Sequence, residues 1–104
     1  MNVRIDRRPD EIICTLEGEI DLANVAVVDA EINDGLDDRS RVVVDLTATS
    51  YIDSAGLRML FALARKLGGR LTIVLPESSP LRRVITMVGL ARVAALVETL
   101  PDQA

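Results

Sequence analysis

Two apolar runs, VVVDL at residues 42–46 and LTIVL at residues 71–75, stand on either side of a segment whose apolar residues recur every three or four positions. Short runs of this kind read as strands covered on at least one face. Between them Leu57, Leu60, Phe61, Ala64 and Leu67 predict a helix, which Gly68 and Gly69 stop. Strand, helix and strand in that order close most naturally as a right-handed crossover joining parallel strands. The chain is therefore expected to be an α/β protein.

The flanking segments extend the same pattern. Val3 and Ile5 alternate with polar residues, Arg7-Arg8-Pro9-Asp10 suits a turn, and Ile12, Cys14 and Leu16 alternate with Ile13, Thr15 and Glu17. Together they predict an antiparallel hairpin. In GEIDLANV, residues 18–25, Asp21 is the candidate N-cap of a helix carrying Leu22, Val25, Val28, Ile32 and Leu36 on one side. Ser79-Pro80 offers a second cap and a first-turn proline ahead of Leu81, Val84, Ile85 and Val88, a stripe that ends at Gly89. The tail from Ala91 fits either a helix or a short strand over Ala95 to Thr99, and the strand is expected because it completes the alternation.

The resulting order is β-β-α-β-α-β-α-β, without an internal repeat or linker. We expect a single α/β domain over residues 1–104, with a mixed, mostly parallel sheet of about five strands and three helices mainly on one face.

Composition narrows the function. The chain has 104 residues, 49% of them hydrophobic, enough for one core and too many for general disorder. A formal net charge of -4 disfavours a nucleic-acid surface, and with Tyr51 and Phe61 as the sole aromatics there is little to stack bases on. A basic protein partner suits that charge better. Histidine is absent, which removes the usual base of a serine hydrolase and the commonest metal ligand. Lys66, the single lysine, would lie roughly 18 Å along its helix from Ser54, too far to activate it. No glycine-rich loop is followed by the residues that cradle phosphates. A stand-alone enzyme using Ser54 as nucleophile is thus disfavoured, and no cofactor is expected. The lone Cys14 reads as a small buried hydrophobe. Asp29, Glu31, Asp34, Asp37 and Asp38 read as a solvated helix surface and its exit. MNVRIDRRPD lacks the apolar stretch of a signal peptide, and no segment approaches the length of a membrane span, so a cytoplasmic location without membrane insertion is expected.

What remains is YIDSAGLRML, residues 51–60, together with Asp21. Loops at the carboxyl ends of neighbouring strands gather at one edge of an α/β sheet, where such folds place their sites. Asp53 or Ser54 would serve as a helix N-cap worth about 1 kcal/mol. A cap accounts for one of the two, but not for Ala55-Gly56 in the first turn, where glycine costs up to about 1 kcal/mol. Small side chains there would leave a hydroxyl uncovered and let another protein's backbone approach. From spacing alone, a capping role and a functional serine stand about equal. Arg58 suits either a partner's carboxylate or solvent. The preponderance of arginine over lysine carries no implication of a binding patch.

VVVDLTATSYIDSAGLRML resembles the signature of bacterial anti-sigma factor antagonists of the STAS family. GEIDLANV is similar to that family's Gly-Glu-Leu/Ile-Asp element, and SSPLRRVITMVGL to its third helix and Gly-Leu exit. The resemblance covers nearly the whole chain in order. It implies a partner switch, in which the unmodified antagonist binds an anti-sigma factor that is also a serine kinase and so frees a sigma factor. The kinase then phosphorylates the motif serine with its own ATP, the complex separates, and a phosphoserine phosphatase resets the protein. By this resemblance Ser54 is the phosphoacceptor, and Asp21, Asp53, Ala55, Gly56 and Leu57, with Arg58 beside them, fall at or beside the docking surface. Where many relatives have a second serine this chain has Ala55, leaving one hydroxyl. Its tail, LPDQA, stands where relatives often carry a further helix, which leaves the cover of the last strand open. A monomer is expected when free. Within the same fold, a STAS subunit of a membrane transport or lipid-trafficking complex, with Ser54 unmodified, is the alternative.

Overall fold

The computed structural model describes residues 1–100. The hairpin forms as the alternation predicts: β1 (Asn2–Arg7) and β2 (Glu11–Ile20) pair antiparallel from Asn2 opposite Glu17 to Arg7 opposite Ile12. Then follow α1 (Val25–Gly35), β3 (Arg41–Asp45), β4 (Thr49–Ile52), α2 (Ser54–Leu67), β5 (Leu71–Val74), α3 (Arg82–Met87) and β6 (Ala95–Val97). The main path of the sheet is β1-β2-β3-β5-β6, parallel after the hairpin, with β4 paired to β2. The short final strand is the expected one. Pro101–Ala104 of the LPDQA tail lie outside the described residues.

Alternation along the strands divides the apolar residues between two faces. Ile12, Cys14, Leu16, Val42, Val44 and Ile73 meet Val28 and Ile32 of α1, Leu60 and Leu63 of α2, and Ile85 of α3 in one cluster. All three helices thus cover the same face. On the other face Ile13, Val43 and Val74 form a small cluster with Val97 and Leu100 packed against it. Cys14 is fully buried, and burial pushes its thiol up to about 11, consistent with a packing role.

Three local expectations are corrected. First, the sheet has six strands, because TSYI forms β4 where a connection was expected. Its two middle residues are exposed, so no apolar alternation announces it, and a buried Thr49 hydroxyl donating to the Leu16 carbonyl at 2.7 Å anchors it. Second, α1 starts at Val25, not after Asp21, and Leu22 lies outside it with its side chain in solvent. The Asp21 side chain instead closes a tight turn by accepting from the Ala23 amide at 3.0 Å. Third, α3 starts at Arg82, two residues beyond Pro80. The Ser79 hydroxyl accepts from the Leu81 amide at 3.1 Å in the turn ahead of the helix.

Gly18 shapes the far end of β2. Its φ of 104° is open to glycine and strained for other residues, and the register of β2 against β4 shifts between Gly18 and Glu19. The first half of β2 pairs with β3 and the last three residues pair with β4. The pairing with β4 carries Ile20 and Asp21 to the start of α2.

Candidate functional site

Asp53 and Ser54 follow β4, not the longer interior strand β3. Because Ile20 stands opposite Ile52 in the β2–β4 ladder, the two chains leave the sheet side by side. The Asp53 amide donates to the Ile20 carbonyl at 3.1 Å, extending the pairing by one step. Asp21 and Ser54 are thereby brought to one edge, as the sequence suggested, through a strand that the sequence did not reveal.

Asp53 is the N-cap of α2. Its backbone is extended, and its Oδ1 accepts from the Gly56 amide at 3.0 Å while its carbonyl accepts from the Leu57 amide. Its Oδ2 reaches across to the loop after β2 and accepts from the Leu22 amide at 2.9 Å. The Gly56 amide is the main reason that its carboxyl is held below the usual carboxylate range; the Leu22 and Ala55 amides and the Arg58 charge act in the same direction, against partial desolvation.

The cap being assigned to Asp53, Ser54 is free of that task. It is the first residue of α2, it is exposed, and among the described residues its hydroxyl has no hydrogen-bond partner. A visiting enzyme can reach it. The helix start is less welcoming to a phosphate than an empty one would be, because Asp53 already occupies the Gly56 amide and puts a carboxylate next to the serine.

The remaining expected docking residues separate by exposure. Asp21, Ala55 and Leu57 are half-buried, Leu57 packing against the main cluster. Arg58 is exposed and turns its Nε back to the Ser54 carbonyl at 3.4 Å. Gly56 is buried, and a Cβ there would fall 2.6 Å from Ile52 Cγ1 and 3.0 Å from Ile20 Cγ2. The expectation that Gly56 admits a partner's backbone is therefore corrected: the missing side chain lets α2 sit directly on β2 and β4. Beside Asp53 in space or sequence, two exposed apolar residues escaped the sequence reading. Leu22 is 77% exposed and Tyr51 50%. Leu22 keeps step with the α1 stripe, so nothing in its spacing sets it apart, and Tyr51 belongs to the unrecognised β4.

A polar recess lined by Pro9, Asp10, Asp37, Arg39, Ser40 and Arg41 lies at the opposite edge, where β2 and β3 begin. Its groups are engaged with one another: Asp37 accepts from the Arg39 and Ser40 amides and from the Ser40 hydroxyl, and Arg70 donates to the Ser40 carbonyl. The Ser40 and Arg39 amides, followed by the Ser40 hydroxyl, hold the Asp37 carboxyl down at about 2, from an ordinary 3.8. A depressed folded-state pKa adds stability that is fully present above the unfolded value and disappears as pH falls through the folded one. The stability advantage of the native chain over Asp37→Asn should thus be constant above pH 4 and shrink between about pH 4 and pH 2, as read from urea midpoints. An advantage independent of pH across that window would contradict this role.

A family model described as the STAS domain matches residues 2–103. The anti-sigma-F factor antagonist RsfB of Mycobacterium tuberculosis is 33% identical over 92 residues, covering 86% of this chain and 75% of that protein. The crystal structure of an anti-sigma factor antagonist from Mycobacterium paratuberculosis superposes with a TM-score of 0.84 at 27% identity, over 97% of this chain and 88% of that one. The anti-sigma factor antagonist SpoIIAA in its unphosphorylated form gives 0.74 at 19% identity, over 98% and 91% of the two chains, a likeness of fold. A mixed sheet covered by three helices, a GEID strand end that meets an Asp-Ser helix start, and these matches agree: the chain belongs to the STAS-domain family.

Proposed function

We propose that this protein is an anti-sigma factor antagonist controlled by phosphorylation of Ser54. With Ser54 unmodified it binds an anti-sigma factor that is also a serine kinase, which frees a sigma factor and so regulates transcription. The observation that carries this reading is the Ser54 hydroxyl itself, exposed and unpartnered among the described residues, at the edge where β2 and β4 deliver Asp21 and Asp53. The name of the Mycobacterium tuberculosis relative supports the antagonist role.

The chain acts as substrate and not as catalyst. The kinase brings ATP; a bond forms between the Ser54 oxygen and the γ-phosphorus, the bond from that phosphorus to the β,γ-bridging oxygen breaks, ADP departs, and the serine proton passes to the kinase. This protein needs no cofactor of its own. A phosphoserine carries about -1.5 to -2 charges at neutral pH, and beside Asp53 that is more than the neighbouring Arg58 can balance. An interface that fits an uncharged hydroxyl then has to bury an unpaired charge beside another of like sign, which costs several kcal/mol. Release follows without rearrangement of the fold, and a phosphoserine phosphatase restores the first state.

Incubation with candidate anti-sigma kinases and ATP, followed by mass spectrometry of the peptide spanning residues 51–60, should place one phosphate on Ser54. Failure of every such kinase to modify that peptide, with phosphate placed elsewhere or nowhere, would refute the reading and favour a STAS subunit that is not phosphorylated.

A further inference from the structure

We infer that Asp53 is a positioning residue rather than a partner contact, and that it holds Leu22 in the recognition surface alongside Ser54. The inference rests on the reading of Ser54 as the recognition centre. Both oxygens of the Asp53 carboxylate are engaged inside the protein, Oδ1 with the Gly56 amide of α2 and Oδ2 with the Leu22 amide of the loop after β2. Each oxygen is already oriented by an amide of the protein itself, so the carboxylate serves the chain's own geometry.

The loop's other bonds are local. Asn24 Oδ1 accepts from the Asp21 amide at 3.0 Å, Asn24 Nδ2 donates to the Glu19 carbonyl at 2.8 Å, and Asp21 Oδ1 accepts from the Ala23 amide. These shape residues 19–24 without fixing them to α2. Among the described residues, the hydrogen bond that joins this loop beyond Ile20 to α2 is the one from the Leu22 amide to Asp53.

A lone exposed leucine on a surface is ordinary. Leu22 differs because its backbone is immobilised by a charge-assisted bond from the residue that precedes the phosphoacceptor. An apolar side chain whose backbone is already ordered loses less freedom when a partner covers it, so more of its burial appears as affinity. The same carboxylate sets the distance between that anchor and the Ser54 hydroxyl. The partner is thus expected to present an apolar pocket for Leu22 next to the group that receives Ser54.

The test separates the tie from the cap. Asparagine and serine cap helices about as well as aspartate, but Asp53→Asn turns an NH2 donor toward the Leu22 amide and Asp53→Ser has no second acceptor. In both variants the Leu22 amide should exchange its hydrogen about tenfold faster or more by NMR, while the Gly56 amide keeps its protection. Affinity for the anti-sigma kinase that phosphorylates Ser54 should fall about tenfold in Asp53→Asn and in Leu22→Ala, and the double variant should bind about as well as Leu22→Ala alone. Unchanged Leu22 exchange would overturn the tie, and losses that multiply in the double variant would make Asp53 a contact in its own right. Should the wild type bind no anti-sigma factor, the recognition role falls with the reading it rests on, and the exchange data would still report the tie separately.

Discussion

Ser54→Asp is expected to weaken binding of the anti-sigma factor by about a thousandfold, equivalent to roughly 4 kcal/mol, while Ser54→Ala binds as tightly as the wild type and cannot be switched off. The difference lies in charge, since the fold asks nothing of the Ser54 side chain: Asp53 is the helix cap, and the serine hydroxyl has no partner among the described residues. Alanine removes an oxygen that the protein's own structure does not use. Aspartate puts a carboxylate directly after that of Asp53, where the Gly56 amide is already taken and Arg58 is the one neighbouring cation for two carboxylates, so net negative charge must be buried or must keep the partner away. Calorimetric titration of the three proteins into one anti-sigma factor reads the difference. Equal affinities across the three would sink the proposed switch.

Gly56→Ala is the second large effect, and it concerns stability. The added Cβ would fall 2.6 Å from Ile52 Cγ1 and 3.0 Å from Ile20 Cγ2, in a contact where both isoleucines are buried and have little room to turn away. Overpacking of this kind costs about 1–3 kcal/mol, against a gain in helix propensity of up to about 1 kcal/mol. The variant should therefore unfold at lower urea concentration than the wild type. A midpoint equal to or above that of the wild type would show that α2 does not pack on β2 and β4 as closely as described.

Gly56 also shows where sequence reading succeeds and where it stops. The strands and helices with repeating apolar residues were legible: Ile12-Cys14-Leu16, the α2 stripe and alternate residues of the VVVDL and LTIVL runs occupy the main cluster, while Val43 and Val74 face the other side. The Gly68 stop was legible from the glycine pair, and the final strand from the strand-helix alternation that it completes. β4 was not, because a four-residue strand with two exposed middle positions is held by one threonine hydroxyl and a ladder to β2 rather than by a stripe. Leu22 was misplaced because spacing cannot separate a helix residue from a loop residue that keeps step with it. For Gly56 the composition of the first turn was noticed, but its cause was assigned to a visitor when the close neighbour is the protein's own sheet. The position of Ser54 needed no pairing information, since the Asp-Ser step before an apolar stripe already marks a helix start.

The most direct measurement is the affinity of one anti-sigma factor for the wild-type chain before and after stoichiometric phosphorylation at Ser54, with circular dichroism recorded on both forms. The account predicts a loss of about a thousandfold with superimposable spectra. Phosphorylated protein that binds as tightly as unmodified protein would contradict it.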